Sequence, residues 1–276
     1  MGTSSSSSGS PSGTPMVPPW VPDPVPPPDG SGDDDAAPPD QAAQQPAQPV
    51  PLAPPARFGG ARTRLGSFAR TGFADDMRKG VGHYARKGLG GSGTAVRRLG
   101  GTARTASTLF GALSAAAAGH VSGPGNELNP AVLAGRSADE VMSAVVEAVR
   151  PVDGTQDSEA SRAAIGKALS ELLTQFPDAD LLNLSEEQRI LAVERFIVWD
   201  VFNRFELDLG KTIQEKAPSV ASALSRLKEV RDFITQTVAA QFRKLATGAT
   251  ALGSSKVAEI VRDALGLAIG VFEGYL

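Results

Sequence analysis

The sequence predicts an all-α protein, a C-terminal helical bundle preceded by a long disordered Pro/Gly/Ser-rich N-terminal tail. Three observations predict it. Proline is concentrated at the start, with 16 of the 21 residues between positions 11 and 55. Apolar residues beyond position 111 recur at helical i, i+3 and i+4 spacing, and strand-type alternation is nearly absent. Charge changes sign twice along the chain, which divides it into zones of different composition.

The first zone, residues 1–56, holds six Asp and no Lys or Arg, and its one aromatic residue is Trp20. It contains too little apolar surface to offset the entropy of ordering, so it is expected to be disordered or polyproline-like. Within it, residues 1–22 read as a recognition peptide and residues 23–56 as an acidic Pro-rich linker. The second zone, residues 57–110, carries eleven Lys/Arg against two Asp and is rich in Gly. Phe73, Met77, Val81 and Tyr84 predict one short amphipathic helix. Val96, Leu99, Ala103, Ala106, Phe110 and Leu113 predict another, weakened by internal Gly.

The third zone, residues 111–276, has 16 Lys/Arg and 22 Asp/Glu and is expected to be the helical domain. Ser137 with Glu140 forms a capping-box pattern before Val141, Val145 and Val149, and Pro151 closes that helix. Ile165, Leu169, Leu172 and Phe176 give the next, stopped at Pro177. Ser185 with Gln188 opens a helix over 186–209 that ends near Gly210. Leu191, Val198, Phe202, Phe205 and Leu209 form one of its stripes, with Phe196 and Leu207 opposite, so it is expected at the centre. After Pro218 a long helix runs to Ala246, with Val220, Leu224, Leu227, Ile234, Val238 and Leu245 as a bundle seam. The last helix begins after Ser254 and Ser255. Its Gly266, Gly270 and Gly274 lie four apart, a spacing that suits close packing within the fold, because Arg262, Asp263 and Glu273 interrupt its apolar face.

The composition excludes several chemistries. Without Cys there is no disulfide, thiolate nucleophile or cysteine metal site. The two histidines, His83 and His120, do not make a metal cage or a relay. No apolar run is long enough for a transmembrane helix, and no secretory signal pattern opens the chain. The expectation is a cytoplasmic protein without cofactor, metal or membrane partner. Carboxylates such as Glu186, Glu187, Asp178, Asp180, Asp200 and Glu206 show no spacing that sets two apart as an acid–base pair, and Asp200 with Arg204 reads as a surface i, i+4 ion pair. The run Gly88-Leu89-Gly90-Gly91-Ser92-Gly93 lacks the Gly-Lys-Ser/Thr ending and preceding strand of a phosphate loop. No catalytic residue is assigned, and the chain is expected not to be an enzyme.

Two segments suggest binding. In the basic zone Arg62, Arg64, Arg70, Arg97 and Arg98, interleaved with Phe58, Phe68, Phe73 and Tyr84, suit the backbone and bases of a nucleic acid. At the amino terminus, Met16, Val17, Trp20 and Val21 form an apolar cluster stiffened by Pro15, Pro18, Pro19 and Pro22, behind a thin Ser/Gly tip. Gly2 permits removal of Met1. The exposed glycine α-amine, with a pKa near 7.7–8.0, is partly unprotonated and nucleophilic near neutral pH.

The opening Met1-Gly2-Thr3-Ser4, followed by Ser/Gly and then Thr14-Pro15-Met16-Val17-Pro18-Pro19-Trp20-Val21-Pro22, resembles the QatB family of the four-component Qat anti-phage defence systems of bacteria. The Pro-rich linker, basic Gly-rich middle and helical C-terminal part are similar in layout. The resemblance implies partners: a QueC-like enzyme (QatC), an ATPase and a TatD-like nuclease. It implies that the QueC-like enzyme binds this chain and joins a 7-deazaguanine to the α-amine of Gly2. Thr3, Ser4, Pro15, Val17 and Trp20 would contact the partner's channel. Trp199, off the main stripe of its helix, is a candidate docking residue beside the alternative of a partly buried core tryptophan. The rival expectation is a nucleic-acid-binding accessory protein acting through residues 57–104.

Overall fold

The computed structural model describes residues 15–17, 52–119, 128, 130–247 and 252–276. Among these residues the fold is all-α, with a single antiparallel bridge between Pro15 and Leu52.

Helix α1 (Gly59–Thr71) was not legible as a helix, because its inner face uses the small Ala61 and Ala69 beside Leu65 and Phe68. It stops at Gly72, whose φ of 77° closes the last turn with an N–H donated to the Phe68 carbonyl. Helix α2 (Ala74–His83) begins with Asp75 and Asp76 in its first turn, where carboxylates favour the helix dipole. It passes into a π-turn at Tyr84–Gly88. Of the predicted stripe, Met77, Val81 and Tyr84 are buried, while Phe73 caps the start and is exposed. The second predicted helix is divided at Leu99 into α3 (Gly91–Arg98) and α4 (Gly100–Ala117).

A short turn of helix, α5 (Pro130–Leu133), leads to α6 (Ala138–Val149), where Ser137 and Glu140 form the predicted reciprocal box. Helix α7 (Gln156–Gln175) is capped by Thr155. Helix α8 (Glu186–Phe205) is capped by Ser185 and Gln188 and packs against α4, α7 and α10, the central place its two apolar sides predict. The chain does not stop at Gly210. That residue keeps right-handed helical angles, so a second π-turn at Glu206–Gly210 runs on into α9 (Lys211–Lys216). The extra residue of the turn also turns Leu207 outward, away from the core.

Helix α10 (Val220–Ala246) and helix α11 (Ser254–Glu273) complete the fold. Leu227, Ile234 and Val238 are buried as predicted, but Val220 and Leu224 are 78% and 64% exposed, and the first turns of α10 turn the small Ala223 inward instead. The glycine stripe of α11 does not bring a second backbone close. A Cβ at Gly266 would meet only the Val96 side chain, and one at Gly270 would meet nothing within 4 Å. The close backbone approach is made at Gly82, where a Cβ would lie 2.8 Å from the Phe272 carbonyl oxygen.

One hydrophobic core runs from Phe58 to Phe272 and takes residues from both sides of the composition boundary at 110/111, which falls inside α4. The basic zone is therefore built into the same core as the acidic helices. A positively charged surface composition did not prevent this, since Leu65, Phe68, Tyr84 and Leu109 face inward.

Candidate functional site

The Pro-rich N-terminal motif meets the helical body at a built contact. Pro15 is exposed and pairs with Leu52. Met16 and Val17 are each only 3% exposed, as is Ala53. Met16 sits at Gly90, whose φ is 85° and whose missing Cβ would lie 2.9 Å from the Met16 sulfur. Glycine is needed there twice, for the left-handed backbone and for the space. Arg98 Nη1 donates to the Met16 carbonyl at 3.4 Å.

Magnitudes indicate how firmly this segment is held. Burying Met16 and Val17 contributes about 1.5–3 kcal/mol each. Ordering three residues costs about 1–2 kcal/mol each for the backbone alone. The two nearly cancel, and the Arg98 bond and the Pro15–Leu52 bridge, about 0.5–1.5 kcal/mol each, tip the balance toward the seated state, so the contact holds but can be left.

Beside the seat lies a charged floor. Ala56 has a φ of 51°, the sole non-glycine residue with positive φ among the described residues. It turns the chain so that Arg57 points inward, 8% exposed, with its guanidinium 4.6 Å from the Phe58 ring centre. Burial lowers the Arg57 pKa from its ordinary value, and the positive charge of Arg98 lowers it further, against the pull of Asp208. Below them Tyr84 stacks on Phe58 and meets Phe205 edge-on. Its hydroxyl donates to Asp208 Oδ2 at 2.9 Å. Burial first, and the Asp208 carboxylate second, push the Tyr84 pKa well above 10, so the hydroxyl stays protonated.

Trp199 is half-buried and packs against the core. Its Nε1 donates to Glu171 Oε1 at 3.1 Å, while Lys167 and Arg231 lie 4.3 and 5.1 Å from the ring centre. The ring is thus enclosed by neighbours on α7 and α10. Arg62, Arg64 and Arg70 do not share one face of α1. Around α1, Arg64 and Arg70 lie about 200° and about 80° from Arg62. Arg64 pairs with Asp76 at 3.0 Å, Arg62 lies over the Phe58 ring, and Arg70 is exposed. Arg97 and Arg98 end α3. Gly2, Thr3, Ser4 and Trp20 lie outside the described residues.

The Asp200–Arg204 pair is not on the surface. Asp200 is fully buried, and its two oxygens accept from Thr102 (2.5 Å), Ser161 (2.6 Å) and Arg204 Nε (3.0 Å). Arg204 also pairs with Asp157 at 3.1 Å. Burial would lower the Arg204 pKa, but these carboxylates outweigh it and hold the pKa above its ordinary value. Sequence spacing showed the pair but not the burial, because Thr102 and Ser161 come from distant helices. Glu206 and Glu159 line an open cleft of about 420 Å³ between the start of α7 and the end of α8, together with Thr155, Asn203 and Leu207. No acid–base pair with a shared hydrogen bond forms there.

The family described as "Qat anti-phage system associated protein QatB" matches residues 90–272, more than half of the chain. The chain belongs to the QatB family. The match begins at Gly90, the glycine that seats Met16, and covers α3, α4 and every later helix. It shares no residue with the N-terminal motif that first suggested QatB, so two separate parts of the sequence lead to one family. No curated protein and no solved structure matches the chain. Membership of the QatB family places the chain in the Qat anti-phage defence system. Among the described residues no helix is long and apolar enough to cross a membrane.

Proposed function

We propose that this chain is the non-enzymatic, tail-presenting component of its Qat system. In this proposal the helical body binds a QueC-like partner enzyme, and the α-amine of Gly2 enters that enzyme's active site and attacks the ATP-activated carboxylate of a 7-deazaguanine, forming an amide as the activating group leaves. The ATPase and the TatD-like nuclease are further partners. Thr3, Ser4 and Trp20 contact the partner's channel, Pro15 and Val17 take part where the tail leaves the body, and Trp199 lies near the docking face.

The observation that supports this most is the seat of Met16 and Val17. It gives the tail a root on the body, and fourteen residues precede Pro15 in the sequence. Fully extended they span at most about 50 Å. A root on the body keeps the amine within that radius of a docked partner and raises its effective concentration there. A tail joined only through the long Pro-rich linker would sample a far larger volume.

Intact mass of the protein after co-expression with the QueC-like enzyme tests this. Loss of Met1 with an added deazaguanine mass on the first tryptic peptide is the expected result. Loss of Met1 with no addition, in cells that make deazaguanines, overturns it. Gly2→Val is expected to abolish protection against phage while leaving helical circular dichroism unchanged.

A further inference from the structure

We propose that Arg57 and Arg98 form a phosphate-binding site that the seated residues 15–17 cover and that opens when they lift. The proposal rests on the seat alone and is independent of what happens at Gly2.

The two guanidiniums are short of counter-charge. Arg57 is more than nine-tenths buried, and its Nε has no hydrogen-bond partner. The carboxylate that acts on it is Asp208, which already accepts from the Tyr84 hydroxyl. Arg98 uses a donor on the Met16 carbonyl at the long distance of 3.4 Å. Arg189 and Arg226 also keep a buried Nε without a partner, but each has another donor engaged at 2.6 Å, on the Leu184 carbonyl and on Glu229; other guanidiniums are met by carboxylates. Arg204 has Asp200 and Asp157, and the buried Glu194 holds Arg243 by two bonds of 2.5 and 2.6 Å. A buried charge left with spare donors marks a place for an anion. Ala56, directly before Arg57, has the left-handed φ of 51° that an alanine rarely adopts.

The chemistry favours phosphate. A carboxylate presents two oxygens in one plane, whereas a phosphate presents three around a tetrahedral centre and accepts from two guanidinium forks on different edges. Two guanidiniums against the one carboxylate of Asp208 leave a single positive charge, which one negative charge of a phosphate group offsets. Lifting residues 15–17 frees the Arg98 donor and removes two buried apolar side chains from beside it. Phosphate and the segment therefore compete.

Calorimetric titration of the full-length protein with inorganic pyrophosphate tests the proposal. Met16→Ser with Val17→Ser removes the apolar hold without adding charge, and is expected to tighten binding at least tenfold. In that background Arg57→Met is expected to reverse the gain, with Arg57→Lys between the two because it keeps charge but not the fork. Linkage gives a second readout in the unaltered protein: saturating pyrophosphate must speed amide exchange at Met16 and Val17. Equal affinity with and without the double substitution, no effect of Arg57→Met, or unchanged exchange each overturns the proposal. ATP and a single-stranded oligonucleotide, titrated in parallel, separate the two sources of phosphate. A steep fall of affinity with salt assigns the site to a nucleic-acid backbone, and a shallow one to a nucleotide. Binding of neither, and none of pyrophosphate, also overturns it.

Discussion

Two arginine sites in this molecule are built from the same residue type and come to opposite results. At Arg204, carboxylates from α7 and α8 enclose the guanidinium, and Thr102 and Ser161 complete the coordination of Asp200. At Arg57, the nearest strong influence after burial is another arginine, and the Nε is unpartnered. The first is a joint that ties α4, α7 and α8 together. The second is a buried guanidinium with a donor left without a partner. Buried charge is thus informative only through its partners.

Substitutions can break this contrast. The largest effect is expected from Asp200→Ala, which strands Arg204, Thr102 and Ser161. Breaking such a pair costs about 3–5 kcal/mol. At roughly 2–4 °C per kcal/mol for a chain of this size, thermal unfolding should show a fall of about 10 °C. Next is Met16→Ala, which should lower the local opening energy of the seat by about 2 kcal/mol. Amide exchange at residues 15–17 should quicken while the global unfolding midpoint stays in place.

Arg57→Met comes third and sharpens the contrast most. Removing an unpartnered buried charge should change stability by no more than about 1 kcal/mol, and in the stabilising direction. A loss as large as that of Asp200→Ala, measured by urea unfolding, would show that Arg57 is a structural joint after all. The smallest effect concerns His83. Burial first, then the charges of Lys87 and Arg64, lower its pKa below 6.5, and its Nδ1 is buried without a hydrogen bond. The neutral form is thus favoured in the fold. Its contribution is complete above about pH 6.5 and is lost as pH falls through the lowered value. Urea midpoints at pH 8 and pH 5.5 should differ less in His83→Gln than in the parent.

The helices after position 137 were legible because their signals are local. Ser137 with Glu140 and Ser185 with Gln188 mark starts within one turn, and Leu227, Ile234 and Val238 show their period within a few more. Helix α1 was not legible, since Ala61 and Ala69 carry little hydrophobic contrast and become core only when α2 and α9 cover them. At the candidate site, Arg98 and Met16 could be singled out as residue types, but their meeting could not. It joins positions 82 apart through a backbone carbonyl, which no spacing rule detects. Arg57 was counted in the basic zone and not singled out. Its inward aim depends on the backbone angle of Ala56, a residue with no turn signature of its own.

Both π-turns hold one residue more than an α-helix of the same rise, and they meet: Tyr84 in the first bonds Asp208 in the second. Deleting one residue from either would restore regular winding and leave the chain beyond it in register, because the widened turn absorbs its surplus residue locally. What would be lost is the offset that sets Tyr84 and Asp208 side by side. The two surplus residues work as matched shims: each widens its own turn, and the bond between the turns needs both.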